Sequence, residues 1–117
     1  MKKISAAITG VHGFVPKDIL SNEDLSKIVD TSDEWILSRT GIKERRIMKD
    51  GASSDMAAAA ISALLEKKGI DPLDIELVIC ATVTPDYPFP STANVICDKA
   101  GMNKRRKKYF FIFDFFQ

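Results

Sequence analysis

The sequence has little of what most catalytic sites are built from. Its 117 residues contain one histidine, His12, and two cysteines, Cys80 and Cys97, which form no C-x-x-C pair. Because both cysteines lie in apolar surroundings, they are expected to be reduced, small core residues rather than nucleophiles. His12 has no nucleophile beside it in the sequence, so a role as catalytic base is not expected.

Long hydrophobic runs are also absent. No segment approaches the roughly 20 apolar residues that a membrane span needs. Thr9, Gly10 and Gly13 interrupt the apolar N-terminal segment early, and no A-x-A site follows them, which argues against a signal peptide. The net charge of +1 favours neither nucleic acid nor a membrane as a partner. A cytoplasmic location is expected.

The last 14 residues differ in composition from the rest of the chain. Residues 104–117 carry five basic residues and one acidic residue, and they contain five of the seven phenylalanines. One interpretation is a charged turn followed by an apolar strand. The other is a shift of the reading frame near residue 103. The phenylalanines are packed too densely to serve as spaced stacking platforms for nucleic acid.

Strand and helix patterns alternate along the first 102 residues. Continuous apolar runs at residues 4–11 and 75–84 predict buried strands, and residues 43–48 predict a short extended segment. Capping residues, first-turn acids and closing glycines predict four helices, which begin at Asn22, at Thr31 or Ser32, at Ser53 and at Ser91. The alternation predicts an α/β fold with helices packed on a partly parallel sheet.

The residue patterns of two of these helices also predict how they pack. In the first, Leu25, Ile28 and Val29 are predicted to share one apolar face. The helix from Ser53 to Lys68 is rich in alanine, which favours close packing against a neighbour. Asp30, Asp33 and Glu34 are interpreted as acids at a helix N-terminus rather than as metal ligands, and no metal site is expected.

The only tryptophan stands four residues before an arginine. Trp35 and Arg39 therefore lie on one face of their predicted helix. An indole beside a guanidinium offers a surface on which a flat base can stack while its phosphates are held. Considered alone, this pair is also compatible with a core aromatic and a surface charge.

Several longer motifs resemble the N-terminal part of β-ketoacyl-acyl-carrier-protein synthase III, a condensing enzyme with the thiolase fold. The most specific is D-T-S-D-E-W at residues 30–35, which is followed in order by R-T-G-I-K-E-R-R at 39–46 and F-P-S-T-A at 89–93. The resemblance implies the N-terminal half of a thiolase-like α/β fold over residues 1–102, with 103–117 as a divergent basic and aromatic tail.

The resemblance also implies a function. Members condense an acyl-CoA with malonyl-acyl carrier protein to start fatty-acid synthesis, as homodimers and with the CoA thioester as a substrate rather than a bound cofactor. At the matching positions Thr31, Trp35 and Arg39 would contact the CoA nucleotide, with adenine stacked on the indole. Phe89 corresponds to a loop residue that reaches across the dimer.

The catalytic residues of that family have no counterpart in these 117 residues. The family uses a cysteine after a Phe-Asp strand and a later histidine and asparagine; Phe113-Asp114 is present, but no cysteine follows it. The sequence thus predicts an inactive fragment of an acyltransferase. An alternative is a non-catalytic module that self-associates or binds a partner. A third is another thiolase-fold relative, such as a polyketide-type or hydroxymethylglutaryl-type synthase.

Overall fold

The structure is a computed structural model that describes residues 6–102 and the backbone of a strand at 109–113. The chain divides into two compact units, one formed by residues 15–51 and the other by residues 1–14 and 52–117. We call them the 15–51 unit and the α3/α4 unit. The elements in chain order are β1 Asp18–Ser21, α1 Asn22–Ser26, α2 Asp33–Thr40, β2 Glu44–Ile47, α3 Ser53–Lys68, a 3₁₀ turn Pro72–Asp74, β3 Leu77–Ala81, α4 Thr92–Lys99 and β4 Tyr109–Phe113.

The 15–51 unit contains an antiparallel pair of strands, and two helices lie between these strands in the sequence. β1 and β2 pair from Asp18 opposite Ile47 to Ser21 opposite Glu44. The extended segment predicted at residues 43–48 is thereby confirmed as β2. This pairing brings the start of α1 next to the end of α2, because α1 follows β1 directly and β2 begins a few residues after α2 ends.

Helix α1 is shorter than predicted and begins after a different cap. The hydroxyl of Ser21 accepts a hydrogen bond from the Asp24 backbone N–H at 3.0 Å, so Ser21 and not Asn22 is the N-cap. The same hydroxyl donates to the Asp24 carboxylate at 2.7 Å and, with Lys27, lowers the pKa of that carboxyl. Because α1 ends at Ser26, the predicted helical face with Ile28 and Val29 is wrong.

The α3/α4 unit is built on the contact between its two longer helices. Its core consists of the buried residues Ala58, Cys97, Ala100 and Met102, on which Ile61, Ile75 and Val78 pack. The alanine-rich helix and its glycine cap are confirmed: Gly69 has φ 65°, and the next N–H, that of Ile70, donates to the Leu65 carbonyl at 3.0 Å. Small side chains on α3 let α4 approach closely, so Cys97 is fully buried.

Strand β3 is present, but the prediction that it is buried on both faces is wrong. β3 pairs with β4 in parallel from Leu77 opposite Tyr109 to Ala81 opposite Phe113. Its residues alternate between half-buried and exposed, with Leu77 46 % and Ile79 58 % exposed. A continuous apolar run predicts two covered faces, whereas the described residues cover one, the face of Val78 and Cys80.

The strand predicted at residues 4–11 is also wrong for its described part, residues 6–11. These residues have no regular structure, and Ile8 and Val11 are largely exposed. A strand requires a partner for its backbone groups, and none of the described strands pairs with this run. His12 is exposed in the same stretch.

The loop between β3 and α4 is fastened to the starts of both helices. The Asp86 carboxylate accepts a hydrogen bond from the Ser54 N–H at 3.1 Å, and the Asp86 N–H donates to the Thr92 hydroxyl at 3.3 Å. Ser53 adds a hydrogen bond to the Thr84 carbonyl at 3.0 Å. Ser91 caps α4, as predicted, by accepting from the Asn94 N–H.

The ion pair between Asp55 and Lys99 joins the first turn of α3 to the last turn of α4. The Lys99 ammonium donates to the carboxylate of Asp55 at 2.5 Å and to the hydroxyl of Ser54 at 2.7 Å. This contact, followed by the hydrogen bond from the Ala52 N–H, lowers the pKa of Asp55 below 3.8. The same contact raises the pKa of Lys99 above 10.5.

Replacing Lys99 with methionine is expected to remove a stabilisation that depends on pH. Because the pKa of Asp55 is lowered, its ionised carboxylate stabilises the fold above pH 3.8. Because the pKa of Lys99 is raised, its ammonium stabilises the fold below pH 10.5. The difference in urea midpoint between wild type and Lys99→Met should therefore be present at neutral pH and shrink below pH 3.8 as Asp55 is protonated. The control is Lys67→Met, which replaces an exposed lysine of α3. If the effect of Lys67→Met on the urea midpoint shrank equally below pH 3.8, the prediction would be contradicted.

The predicted α/β class is confirmed, with the described strands arranged in one antiparallel and one parallel pair. In the described part of the chain, none of the helices has the length and apolarity that crossing a lipid bilayer requires. The backbone at 109–113 forms a strand, as one of the two interpretations of the tail had it. The basic run at 104–108 lies outside the described residues, and the division at residue 102 stays a prediction.

Candidate nucleotide-contact site

Helix α2 sets the positions of Trp35 and Arg39. The Ser32 hydroxyl accepts a hydrogen bond from the Trp35 N–H at 3.1 Å, and Gly41 ends the helix in the left-handed conformation, with φ 70°. Both ends of α2 are therefore as predicted. Local capping fixes the start and end of the helix, and with them the direction in which each side chain leaves it.

The tryptophan and the arginine are in contact. The guanidinium carbon of Arg39 lies 4.8 Å from the centroid of the Trp35 ring, the geometry of a cation–π interaction. The prediction that they share a helix face is confirmed. The indole remains 54 % exposed, so Trp35 is not a core aromatic. Arg39 restricts the orientation of the ring while leaving half of its surface open to a ligand.

A pocket of about 660 Å³ lies beside the indole, entirely within the 15–51 unit. Side chains of α1, of α2, of the turn between them and of strand β2 form its walls. It is lined by Leu25, Val29, Asp30, Thr31, Ser32, Trp35, Ile36, Thr40 and Arg45. An apolar pocket with a few convergent polar groups is the usual form of a small-molecule site.

The structure brings together two of the three predicted nucleotide contacts in this pocket. Thr31 and Trp35 both line it, whereas Arg39 lies against the indole and is not among its lining residues. Phe89, the predicted interface residue, belongs to the α3/α4 unit and is 88 % exposed. Phe89 is thus available for an intermolecular contact.

A buried asparagine that the sequence did not single out as a site residue supports the pocket. Asn22 is 1 % exposed, and its carboxamide donates to the Asp33 carboxylate at 2.8 Å and to the Ile42 carbonyl at 2.7 Å. Its carbonyl oxygen accepts a hydrogen bond from Arg45 at 2.8 Å. One side chain therefore joins the start of α1, the first turn of α2 and strand β2.

The three acidic residues near the pocket do not all lie in helix α2. Asp33 and Glu34 lie in the first turn of α2, as predicted. Asp30 precedes the Ser32 cap by two residues, so its interpretation as a first-turn acid is wrong, and it lines the pocket instead.

The two cysteines are placed as structural residues. Cys97 is fully buried within α4, and Cys80 is half-buried in the middle of β3. The interpretation of Cys97 as a core residue is confirmed. A nucleophile must be reached by its substrate, so the buried thiol of Cys97 is not in a position to take up an acyl group.

The sequence has close relatives among curated proteins. It is 57 % identical over 104 residues to β-ketoacyl-[acyl-carrier-protein] synthase III 2 of Bacteroides thetaiotaomicron, covering 87 % of this chain and 31 % of that protein. The chain is a homologue of β-ketoacyl-[acyl-carrier-protein] synthase III. The corresponding synthase of Phocaeicola vulgatus is 53 % identical over 104 residues, with the same coverage. The chain thus spans about a third of the length of the synthases III it matches, and no family model matches it.

Solved structures place the fold in the same group. The 3-oxoacyl-[acyl-carrier-protein] synthase III of Aquifex aeolicus aligns with a TM-score of 0.80 and 43 % identity, over 89 % of this chain and 33 % of that chain. The priming β-ketosynthase of the R1128 polyketide pathway aligns with a TM-score of 0.79 and 32 % identity, over 90 % of this chain and 31 % of that chain. The fold is therefore that of a synthase III in part, and the polyketide-type relative has the lower identity of the two.

Proposed function

We propose that the 15–51 unit contacts the nucleotide end of CoA, with adenine stacked on Trp35 and Thr31 and Arg39 beside it. The observation that carries this proposal is the half-exposed indole, oriented by Arg39 and forming one wall of a pocket. Base stacking on an aromatic ring contributes about 1–3 kcal/mol. The names of the relatives support the ligand class, since a β-ketoacyl-[acyl-carrier-protein] synthase handles acyl groups carried as thioesters.

In the intact enzyme this contact would serve the first condensation of fatty-acid synthesis. Acyl-CoA and malonyl-acyl carrier protein are the proposed substrates, in a cytoplasmic homodimer. The described residues supply a binding surface, and the Cys97 thiol is buried and cannot take up an acyl group. We therefore expect the 117-residue chain to bind CoA without catalysing condensation.

Two measurements on the purified chain test this function. Isothermal titration should detect saturable binding of CoA, and an assay with acetyl-CoA and malonyl-acyl carrier protein should detect no condensation. Turnover would contradict the expectation of an inactive chain, and absence of CoA binding would contradict the proposed nucleotide contact.

A second candidate is a module that associates with a second copy of itself. The 88 % exposure of Phe89 and the open face of β3 favour it. Light scattering of the same preparation separates the two candidates, because a monomer that binds CoA supports the first, and a dimer that Phe89→Ser dissociates supports the second.

A further inference from the structure

Arg45 is the cationic residue that lines the pocket beside Trp35. It comes from β2, whereas the predicted contact Arg39 comes from α2 and lies against the indole. Arg45 is half-buried, so its charge is less screened by water than that of a surface arginine. The pocket therefore combines a stacking surface with a fixed positive charge.

Arg45 makes no ion pair within the described part of the chain. No carboxylate there lies within ion-pair distance of its guanidinium, and its one hydrogen bond goes to the neutral carboxamide of Asn22. Its neighbour Arg46 is different, because it pairs with Glu44 at 3.4 Å on the surface. A guanidinium has five N–H donors, and a single contact leaves most of them for a ligand.

Asn22 fixes the direction of Arg45. Its carboxamide is held by Asp33 and by the Ile42 carbonyl, so the oxygen that accepts from Arg45 has one orientation. A guanidinium held in place before the ligand arrives loses less conformational entropy on binding. Asp30 also lines the pocket and would repel an anion, which favours the Arg45 side of the pocket for a phosphate.

We propose that Arg45, positioned by Asn22, binds a phosphate group of the nucleotide whose adenine stacks on Trp35. This inference rests on the proposed function and adds a second recognition element to the same pocket. Guanidinium groups match phosphate oxygens through paired hydrogen bonds. Trp35 then selects the base, and Arg45 selects the charged end of the ligand.

The test compares CoA with adenosine, which has the base and no phosphate. Arg45→Gln should weaken CoA binding about tenfold, the effect of losing one charged hydrogen bond, and should leave adenosine binding unchanged. Arg45→Lys, which keeps the charge, should recover part of the loss. Arg46→Gln is the matched control on the same strand and should bind both ligands as wild type does.

The possible outcomes separate this inference from the proposed function. Equal CoA affinity in Arg45→Gln and Arg46→Gln would overturn the role of Arg45 alone. A parallel loss of CoA and adenosine binding in Arg45→Gln would show a structural role and would also overturn it. A wild-type chain that binds neither ligand would overturn the proposed function and, with it, this inference.

Discussion

Replacing Asn22 with alanine is expected to lower the free energy of unfolding of the 15–51 unit by about 2–3 kcal/mol. The variant removes three side-chain hydrogen bonds and leaves Asp33, the Ile42 carbonyl and Arg45 without the partner they share. Asn22 is 1 % exposed, so the alanine variant also loses the packing of a fully buried side chain in addition to these three bonds. Urea unfolding followed by the fluorescence of Trp35, which lies in this unit, gives the measurement.

The control for the Asn22→Ala variant is Ser26→Ala in the same unit. Ser26 is exposed, and its hydroxyl donates one bond to the Glu23 carbonyl at 2.7 Å. Its loss should cost less than about 0.5 kcal/mol, as for other surface substitutions. Asn22→Asp is a second variant, because it keeps the acceptor for Arg45 and places a carboxylate beside Asp33. Equal urea midpoints for Asn22→Ala and Ser26→Ala would contradict the bridging role.

Replacing Trp35 with alanine is expected to weaken CoA binding about 10- to 100-fold, the equivalent of losing one base stack. The fold should be retained, because the indole is 54 % exposed and does not belong to a buried core. Trp35→Phe keeps an aromatic face, and its CoA affinity should lie between those of wild type and Trp35→Ala. Isothermal titration is the appropriate measurement, since the variant lacks the fluorescent residue.

Tyr87 provides a matched control for Trp35. Its side chain is 55 % exposed, and it lies in the α3/α4 unit, away from the proposed contact residues in sequence. Tyr87→Ala removes a similar exposed aromatic surface and should leave CoA affinity unchanged. If Tyr87→Ala and Trp35→Ala reduced affinity equally, stacking in the pocket would not account for the binding.

The sequence predicted the features that depend on neighbouring residues. Ser32 and Gly41 bound α2 because a cap and a left-handed glycine act over one turn, and the i, i+4 spacing placed Arg39 against Trp35. The same local reasoning failed by one residue at α1, where both Ser21 and Asn22 are good caps. In the structure Ser21 caps the helix, and the Asn22 side chain is bonded to Asp33, Ile42 and Arg45 instead.

The features that depend on distant residues could not be predicted in this way. Asn22 meets Ile42 and Arg45 only because β1 and β2 pair, and a pairing between strands is not visible in either strand alone. For the same reason Arg45 was not singled out as part of the pocket. The apolar run of β3 predicted two covered faces because the run cannot show what lies above it.

The most direct test of the account is a fluorescence titration of the wild-type chain, because Trp35 is its only tryptophan. CoA and ADP should each quench the emission with saturable binding, while 4′-phosphopantetheine, which lacks adenine, should leave it unchanged over the same concentrations. Unchanged emission with CoA and ADP, or equal quenching by phosphopantetheine, would contradict the assignment of the base to the indole.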